Sequence, residues 1–174
     1  YFSERTVDKN NDFFLKKEMV ETRKNLDVYL KQYFFVNNLE PTNTALNVEA
    51  NNISKELSNK ISNTVSVYDK EGKQVSDIKN PYFKENDEDL KKALKGETAF
   101  TIMRIDNKVI INLSYPVTVD NVKIGILRYS RDYTELYKSS EELINVVKML
   151  SIIMVIVIFI ISFIISNHIT KPII

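Results

Sequence analysis

The sequence predicts an α+β domain, a long N-terminal helix packed on an antiparallel sheet of about five strands, followed by one membrane-spanning helix. Three observations carry that prediction. Residues Met149–Ser166 run for eighteen positions without a charge. At ~1.5 Å per residue they cover roughly 27 Å, close to the thickness of a bilayer's hydrocarbon core. Between Leu15 and Val36 apolar residues recur at spacings of three and four, the period of a helix. Between Thr98 and Ser130 the period falls to two and short Asx-rich turns intervene, the signature of strands.

Composition narrows the function classes. The 174 residues leave room for one domain and some extra segments. With 24 basic and 23 acidic residues the net charge is +1, so nothing points to a nucleic-acid partner. The absence of cysteine excludes disulfides, thiolate catalysis and the usual zinc sites. There is no Gly-rich phosphate loop and no pair of carboxylates outside a helix start, so no catalytic site, cofactor or metal is predicted in this segment.

Taken in order, the first helix has Leu15, Met19, Thr22, Leu26, Tyr29, Tyr33 and Val36 on one seam, with Lys16, Lys17, Glu21, Arg23, Lys24 and Asp27 opposite as a solvated face. Such a heptad seam suits either packing on its own domain or pairing with a second copy. Pro41 and the Asn/Thr cluster of Asn37–Thr44 end it. A second helix follows, with Leu46, Ala50, Ile53 and Leu57 on one side. Thr64–Ile78 reads as two short β runs joined at Asp69–Lys73, where Gly72 supplies a positive φ. Asp87–Glu97 is a compact helix with Asp87 as N-cap, acids in its first turn and Gly96 as its stop. Three strands follow at Thr98–Ile105, Val109–Val119 and Val122–Ser130, in a meander. Pro116 in the middle strand requires a strand end or an edge.

From Asp132 the helical period returns and continues into the apolar run, with no Gly or Pro before Lys171. One rigid helix of roughly 35 residues is predicted. Lys148 before the span and Lys171 after it balance, so charge alone sets no orientation.

The order of these pieces resembles that of extracytoplasmic PAS-like sensors, the Cache or PDC-type domains of bacterial membrane receptors. The stretch VSVYDKEGKQVSD is similar to the family's opening hairpin, ALKGET to its helix-to-strand joint, and LSYPVTVDNVKIGILRYS to its closing strand pair. The terminal HITKPII resembles the start of a HAMP relay, whose first helix carries a Pro-Ile just inside the membrane. The resemblance implies a sensor domain over residues 1–145, a transmembrane helix over 146–166 and the start of a HAMP linker over 167–174. It places the sensor outside the bacterial cell membrane and the C-terminal end in the cytoplasm. Because the chain starts at Tyr1 and stops at Ile174, an upstream membrane helix and a downstream output domain are expected. The implied function is the sensing and signal-transducing part of a two-component histidine kinase. A chemoreceptor's sensor and a membrane-anchored binding module without signalling output are the alternatives. The seams imply a homodimer through the N-terminal and membrane-proximal helices.

Candidate ligand residues are few. Arg104 and Arg128 share alternating strand positions with apolar neighbours, where an arginine pairs with a carboxylate, sits at a strand end in solvent or binds an anionic ligand. With Tyr82 from the loop and Tyr115 from the meander they could line a pocket for a small anionic ligand; a partner protein is the other stimulus expected. The acids Glu85, Asp87, Glu88 and Asp89 are explained by helix capping, and no metal is assigned to them. His168, the single histidine, lacks the acid and spacing of a phosphoacceptor and reads as an interfacial spacer.

Overall fold

A computed structural model of the chain describes residues 2–169, with side chains described for 12–168. Thr170–Ile174, which carry most of the HAMP-like motif, lie outside the described residues. The chain divides into a compact unit, Asp12–Thr134, and a second unit that contains residues 135–169.

Helix α1 (Phe2–Val36) opens the structure. Its buried stripe is Leu15, Leu26, Leu30, Tyr33 and Phe34, whereas Val36, the last member of the predicted seam, is 66% exposed. A straight helix turns every 3.6 residues, so a strict 3.5-residue seam drifts round it by ~20° per heptad. Of the seam, Leu15, Leu26 and Tyr33 are buried against their own chain, Met19, Thr22 and Tyr29 are half-buried and Val36 is exposed. Arg23 and Asp27, expected in solvent, are half-buried. The Arg23 guanidinium donates to Thr98 Oγ1 at 2.7 Å and lies 5.8 Å from the Tyr115 ring. Asn38 ends the helix in the left-handed region (φ 52), letting the Leu39 amide reach the Phe34 carbonyl at 2.9 Å.

The predicted second helix is two, α2 (Asn43–Val48) and α3 (Ala50–Ile61), parted at Glu49. Thr42 caps α2, accepting from the Ala45 amide at 3.2 Å. Leu46, Ala50, Ile53 and Leu57 are all buried, as their spacing predicts. At Leu46 the helix comes so close to the sheet that a Cβ on Gly125 would stand 2.1 Å from a Leu46 methyl and 2.8 Å from the Tyr68 carbonyl. Only glycine fits there.

The sheet has four strands: β1 (Val65–Tyr68), β2 (Ala99–Ile105), β3 (Lys108–Val119) and β4 (Val122–Asp132). They are all antiparallel, in the order β1-β4-β3-β2. The meander has the predicted strands to within a residue or two, joined by two-residue turns at Asp106-Asn107 and Asp120-Asn121. All four turn residues have positive φ, as the twist-matched hairpin turn requires. The expected fifth strand is missing. The Asp69–Lys73 turn forms, with Gly72 at φ 89, but pairing beyond it is a single bridge, Tyr68 to Gln74. Side chains then displace the backbone ladder: Ser76 Oγ accepts from the Val67 amide, and the Gln74 amide group donates to the Ser76 and Ile78 carbonyls. Pro116 lies where β3 has become an edge, because β2 pairs only as far as Ser114.

Cross-strand partners share a face, which sorts the sheet into two sides. Leu113, Tyr115, Leu127, Tyr129, Val65 and Val67 lie on one, the side of α1. Thr101, Ser114, Arg128, Ser66 and Tyr68 lie on the other, against helix α4 (Glu88–Leu94). Strand β4 passes into α5 (Thr134–Ile169) through one residue, Tyr133, itself buried. Thr134 is tied down on both sides: its hydroxyl accepts from the Val109 amide at 2.9 Å and donates to Asp132, and the Tyr133 amide donates to the Val109 carbonyl at 2.8 Å. Among the described residues α5 is the one helix long and apolar enough to cross a membrane, and none of its apolar stretch is buried. It makes the chain a candidate for membrane anchoring.

The α1 side of the sheet is rich in protected phenols. Burial pushes Tyr129 up to about 12, and it raises Tyr115 and Tyr133 as well, helped at Tyr133 by the nearby Glu18 carboxylate. Each holds its proton in the fold where the unfolded chain has released it, near pH 10. Stability contributed by the neutral phenols is thus complete below pH ~10 and is lost as pH rises through the folded values. Tyr129 alone should account for roughly 2–3 kcal/mol by pH ~12. Chemical denaturation across the alkaline range should show a plateau to about pH 10 and a fall beyond it, with tyrosinate absorbance of the buried phenols appearing only on unfolding.

Candidate functional site

The α4 side of the sheet holds a buried polar network centred on Arg128. Of the three roles its alternation allows, a solvated strand end is the one the structure removes, because Arg128 is 0% exposed and pairs with carboxylates. The reason is its place opposite Ser66 on one neighbour and Ser114 on the other, in the middle of the sheet. Its Nε donates to Asp89 Oδ2 at 2.9 Å and its Nη2 to Asp89 Oδ1 at 3.0 Å, a two-point pairing. Nη2 also donates to Asp87 Oδ2 at 2.6 Å, and Nη1 to the Lys84 carbonyl at 3.1 Å. The Phe83 ring lies 4.3 Å from the guanidinium.

Asp89 is equally buried and fully satisfied. Ser114 Oγ donates to Oδ2 at 2.5 Å and Thr101 Oγ1 to Oδ1 at 2.8 Å, so all four of its bonds come from the sheet. Burial disfavours the charge on Arg128, but the Asp89 carboxylate outweighs it and holds the guanidinium more firmly protonated than usual. Asp87 is the second surprise. It occupies the N-cap position of α4 but makes no capping bond from its side chain; the carboxylate accepts from Arg128 and from the Lys84 amide instead. Two of the acids read as a helix cap, Asp87 and Asp89, therefore serve to bind α4 to the sheet.

The same device holds the loop before α4. Asn80 Nδ2 donates to Ser130 Oγ at 2.5 Å, Asn112 Nδ2 to the Tyr82 carbonyl at 2.7 Å, and Arg128 to Lys84. Residues 80–87 thus form a strap fastened to the sheet by side chains, with no ladder of backbone bonds. Beside it opens a cleft of about 530 Å³ between the β1 turn and the strap, whose lining includes Tyr68, Phe83, the lysines Lys73, Lys79 and Lys84 and the acids Glu71 and Glu85. Tyr68 shares the Arg128 face of the sheet and its phenol lies close enough to act on the guanidinium electrostatically, so the cleft wall adjoins the network. Among the described residues no group of three His, Asp or Glu side chains is placed to hold a metal.

The four sequence-predicted residues do not line one pocket. Arg128 and the half-buried Tyr82 meet on the strap side. Tyr115 lies on the opposite face, under α1, with a phenol that has no protein partner. Arg104 shares that face but is exposed and pairs opposite Val109, six residues along β3 from Tyr115, or roughly 20 Å. Asp89, Ser114 and Thr101 were not anticipated. Asp89 does stand four residues before Ala93 on the inward side of its helix, and that was the available signal.

No family model matches the chain, and no curated protein does. Several solved structures resemble it. The sensor domain of E. coli DcuS is 20% identical with a TM-score of 0.38, over 56% of this chain and 73% of that one. The ligand-binding domain of the Campylobacter jejuni chemoreceptor Tlp3, in complex with 4-methylisoleucine, is 15% identical with a TM-score of 0.48, over 76% of this chain and 56% of that one. The sensor domain of the V. cholerae histidine kinase DctB is 10% identical with a TM-score of 0.38, over 76% and 58%. The chain spans little more than half the length of the Tlp3 and DctB domains.

Replacing Arg128 with Met removes one partner of a buried pair and leaves Asp89 without its cation. Breaking such a pair costs about 3–5 kcal/mol. Arg128→Met should lower unfolding free energy by that amount, measured by denaturant titration, and Arg128→Lys should recover only part, since an ammonium cannot make the two-point contact. A loss under about 1 kcal/mol in Arg128→Met would mean that the network is solvated in the native state.

Proposed function

We propose that residues 1–174 are the sensing and transmembrane part of a bacterial sensor histidine kinase. In this reading residues 1–145 sense a stimulus outside the cell, residues 146–166 cross the membrane, and residues 167–174 begin a HAMP linker in the cytoplasm. The observation that carries it is the joint between the domain and α5. One buried residue, Tyr133, separates a central strand from a 36-residue helix that continues through the apolar run without interruption. A flexible linker would absorb a shift in the domain; a joint pinned at Val109, Asp132 and Thr134 passes it on.

The stimulus enters at the cleft beside the strap. Three lysines, Lys73, Lys79 and Lys84, line it against two acids, Glu71 and Glu85, with Tyr68 and Phe83, a lining whose excess positive charge favours a small ligand that carries an anionic group. A ligand there bears on the strap, which is bonded to Arg128, and on Tyr68, which shares its face of the sheet. Arg128 lies on β4, five residues before Tyr133, so the site and the exit share one strand. An effector moves the output only by preferring one of two arrangements, and a difference of a few kcal/mol suffices. The working unit is a homodimer. The membrane-proximal part of α5, where Leu143, Val146, Val147 and Leu150 are exposed, supplies the contact.

The small single sensor module favours a kinase output over a chemoreceptor's, and the coding sequence beyond Ile174 decides between them. A helix with a His-Glu-x-x-x-Pro pattern and an ATP-binding domain marks the kinase, a long coiled coil the chemoreceptor. The test of the mechanism is Glu141→Gly with Glu142→Gly in the full-length receptor. Two glycines cost the helix about 1 kcal/mol each without touching sensor or span. The variant should fold and insert but lose coupling of stimulus to output; normal signalling would rule out the rigid helix as the carrier.

A further inference from the structure

On the side of α1 turned away from the buried stripe, seven residues follow one line: Phe13, Lys17, Val20, Lys24, Val28, Lys31 and Phe35. Their spacings of four, three, four, four, three and four keep them on one face over about 33 Å of helix. The apolar members are 72%, 67%, 55% and 83% exposed, and all three lysines are exposed. None of the lysines forms an ion pair among the described residues. Apolar and basic residues alternate strictly along the line, at a cost in exposed apolar surface that a purely solvated face does not bear.

The symmetry of the line decides what fits it. Phe13 and Phe35, Lys17 and Lys31, and Val20 and Val28 stand in pairs at equal distances either side of Lys24. A second copy packed parallel in register sets each lysine against its own counterpart. Packed antiparallel, it sets Lys17 against Lys31 and Lys24 against Lys24. Like charges meet in both cases, which is destabilising. An anionic bilayer fits poorly too, because Glu21 and Asp27 flank the line, each roughly 60° round the helix from its centre. The favourable strip is therefore one rod wide.

We propose that this ridge docks an acidic amphipathic helix of a partner protein, whose carboxylates alternate with aliphatic side chains at spacings of three and four. The apolar members interdigitate and the lysines pair with the partner's acids, which fixes its register and direction. The ridge lies within the compact unit, so the inference holds independently of the signalling role assigned to α5.

The test uses the full chain in neutral-detergent micelles and a labelled synthetic helical peptide carrying Glu and Leu at the reciprocal positions. Saturable binding is expected, weakening as salt rises. The variant K17E/K24E, at two exposed lysines of the ridge, should lower affinity at least about tenfold, and a peptide with Lys in place of Glu should restore it. Absent binding, or affinity equal in the variant, overturns the proposal. Two other outcomes also overturn it. Self-association abolished by Val20→Asp would assign the ridge to a second copy. Binding to phosphatidylglycerol vesicles without binding to the peptide would assign it to a membrane.

Discussion

Asp89 and Arg128 meet where neither has access to water, and every element on that side of the sheet depends on their pairing. A buried charge is tolerated only with its partner and its hydrogen bonds in place. Here the condition is met by Ser114 and Thr101 from the sheet, Asp87 from the start of α4, and the Lys84 carbonyl from the strap. Few apolar contacts hold α4: Leu90 and Ala93 are buried against Tyr68 and Ile126, with Leu94 partly so. The ion pair therefore sets where the helix lies, and the strap follows.

This division of labour separates the two sides of the sheet. The α1 side is apolar and aromatic, packed with Leu15, Leu26, Leu30, Tyr115, Leu127 and Tyr129, and it has no ready alternative arrangement. The α4 side is held by directional bonds from side chains, each of which an incoming anion or water could replace. One strand belongs to both faces. Strand β4 has that position, with Tyr129 on one side, Arg128 on the other, and the entry to α5 at its end.

Much of this was legible in the sequence, and the reasons for the rest are physical. Periodicity located the helices and the meander because each buries one face, and the turns at Asp106-Asn107 and Asp120-Asn121 announced themselves by residue type. The second run of the first hairpin failed as a strand because Ser76 and Gln74 satisfy the backbone themselves. Arg128 was singled out but its role was left open, since alternation alone cannot show that the opposite strands bring Ser66 and Ser114 beside it. Tyr115 and Arg104 were grouped with it although an odd and an even position of β3 face opposite ways. Asp87 illustrates the limit most clearly: a carboxylate at a helix start has an ordinary local use, and only the fold reveals a partner 41 residues away.

The central claim is that the state of the strap is felt at the joint with α5. Hydrogen exchange at the Tyr133 amide, bonded to the Val109 carbonyl, tests it directly in the full chain carrying Asp87→Ala. That change frees one anchor of the strap and leaves the Asp89 pair intact. The account predicts faster exchange at Tyr133 as well as across residues 80–94, with the amides of α3 unchanged. Faster exchange confined to residues 80–94, with Tyr133 as protected as before, would contradict it.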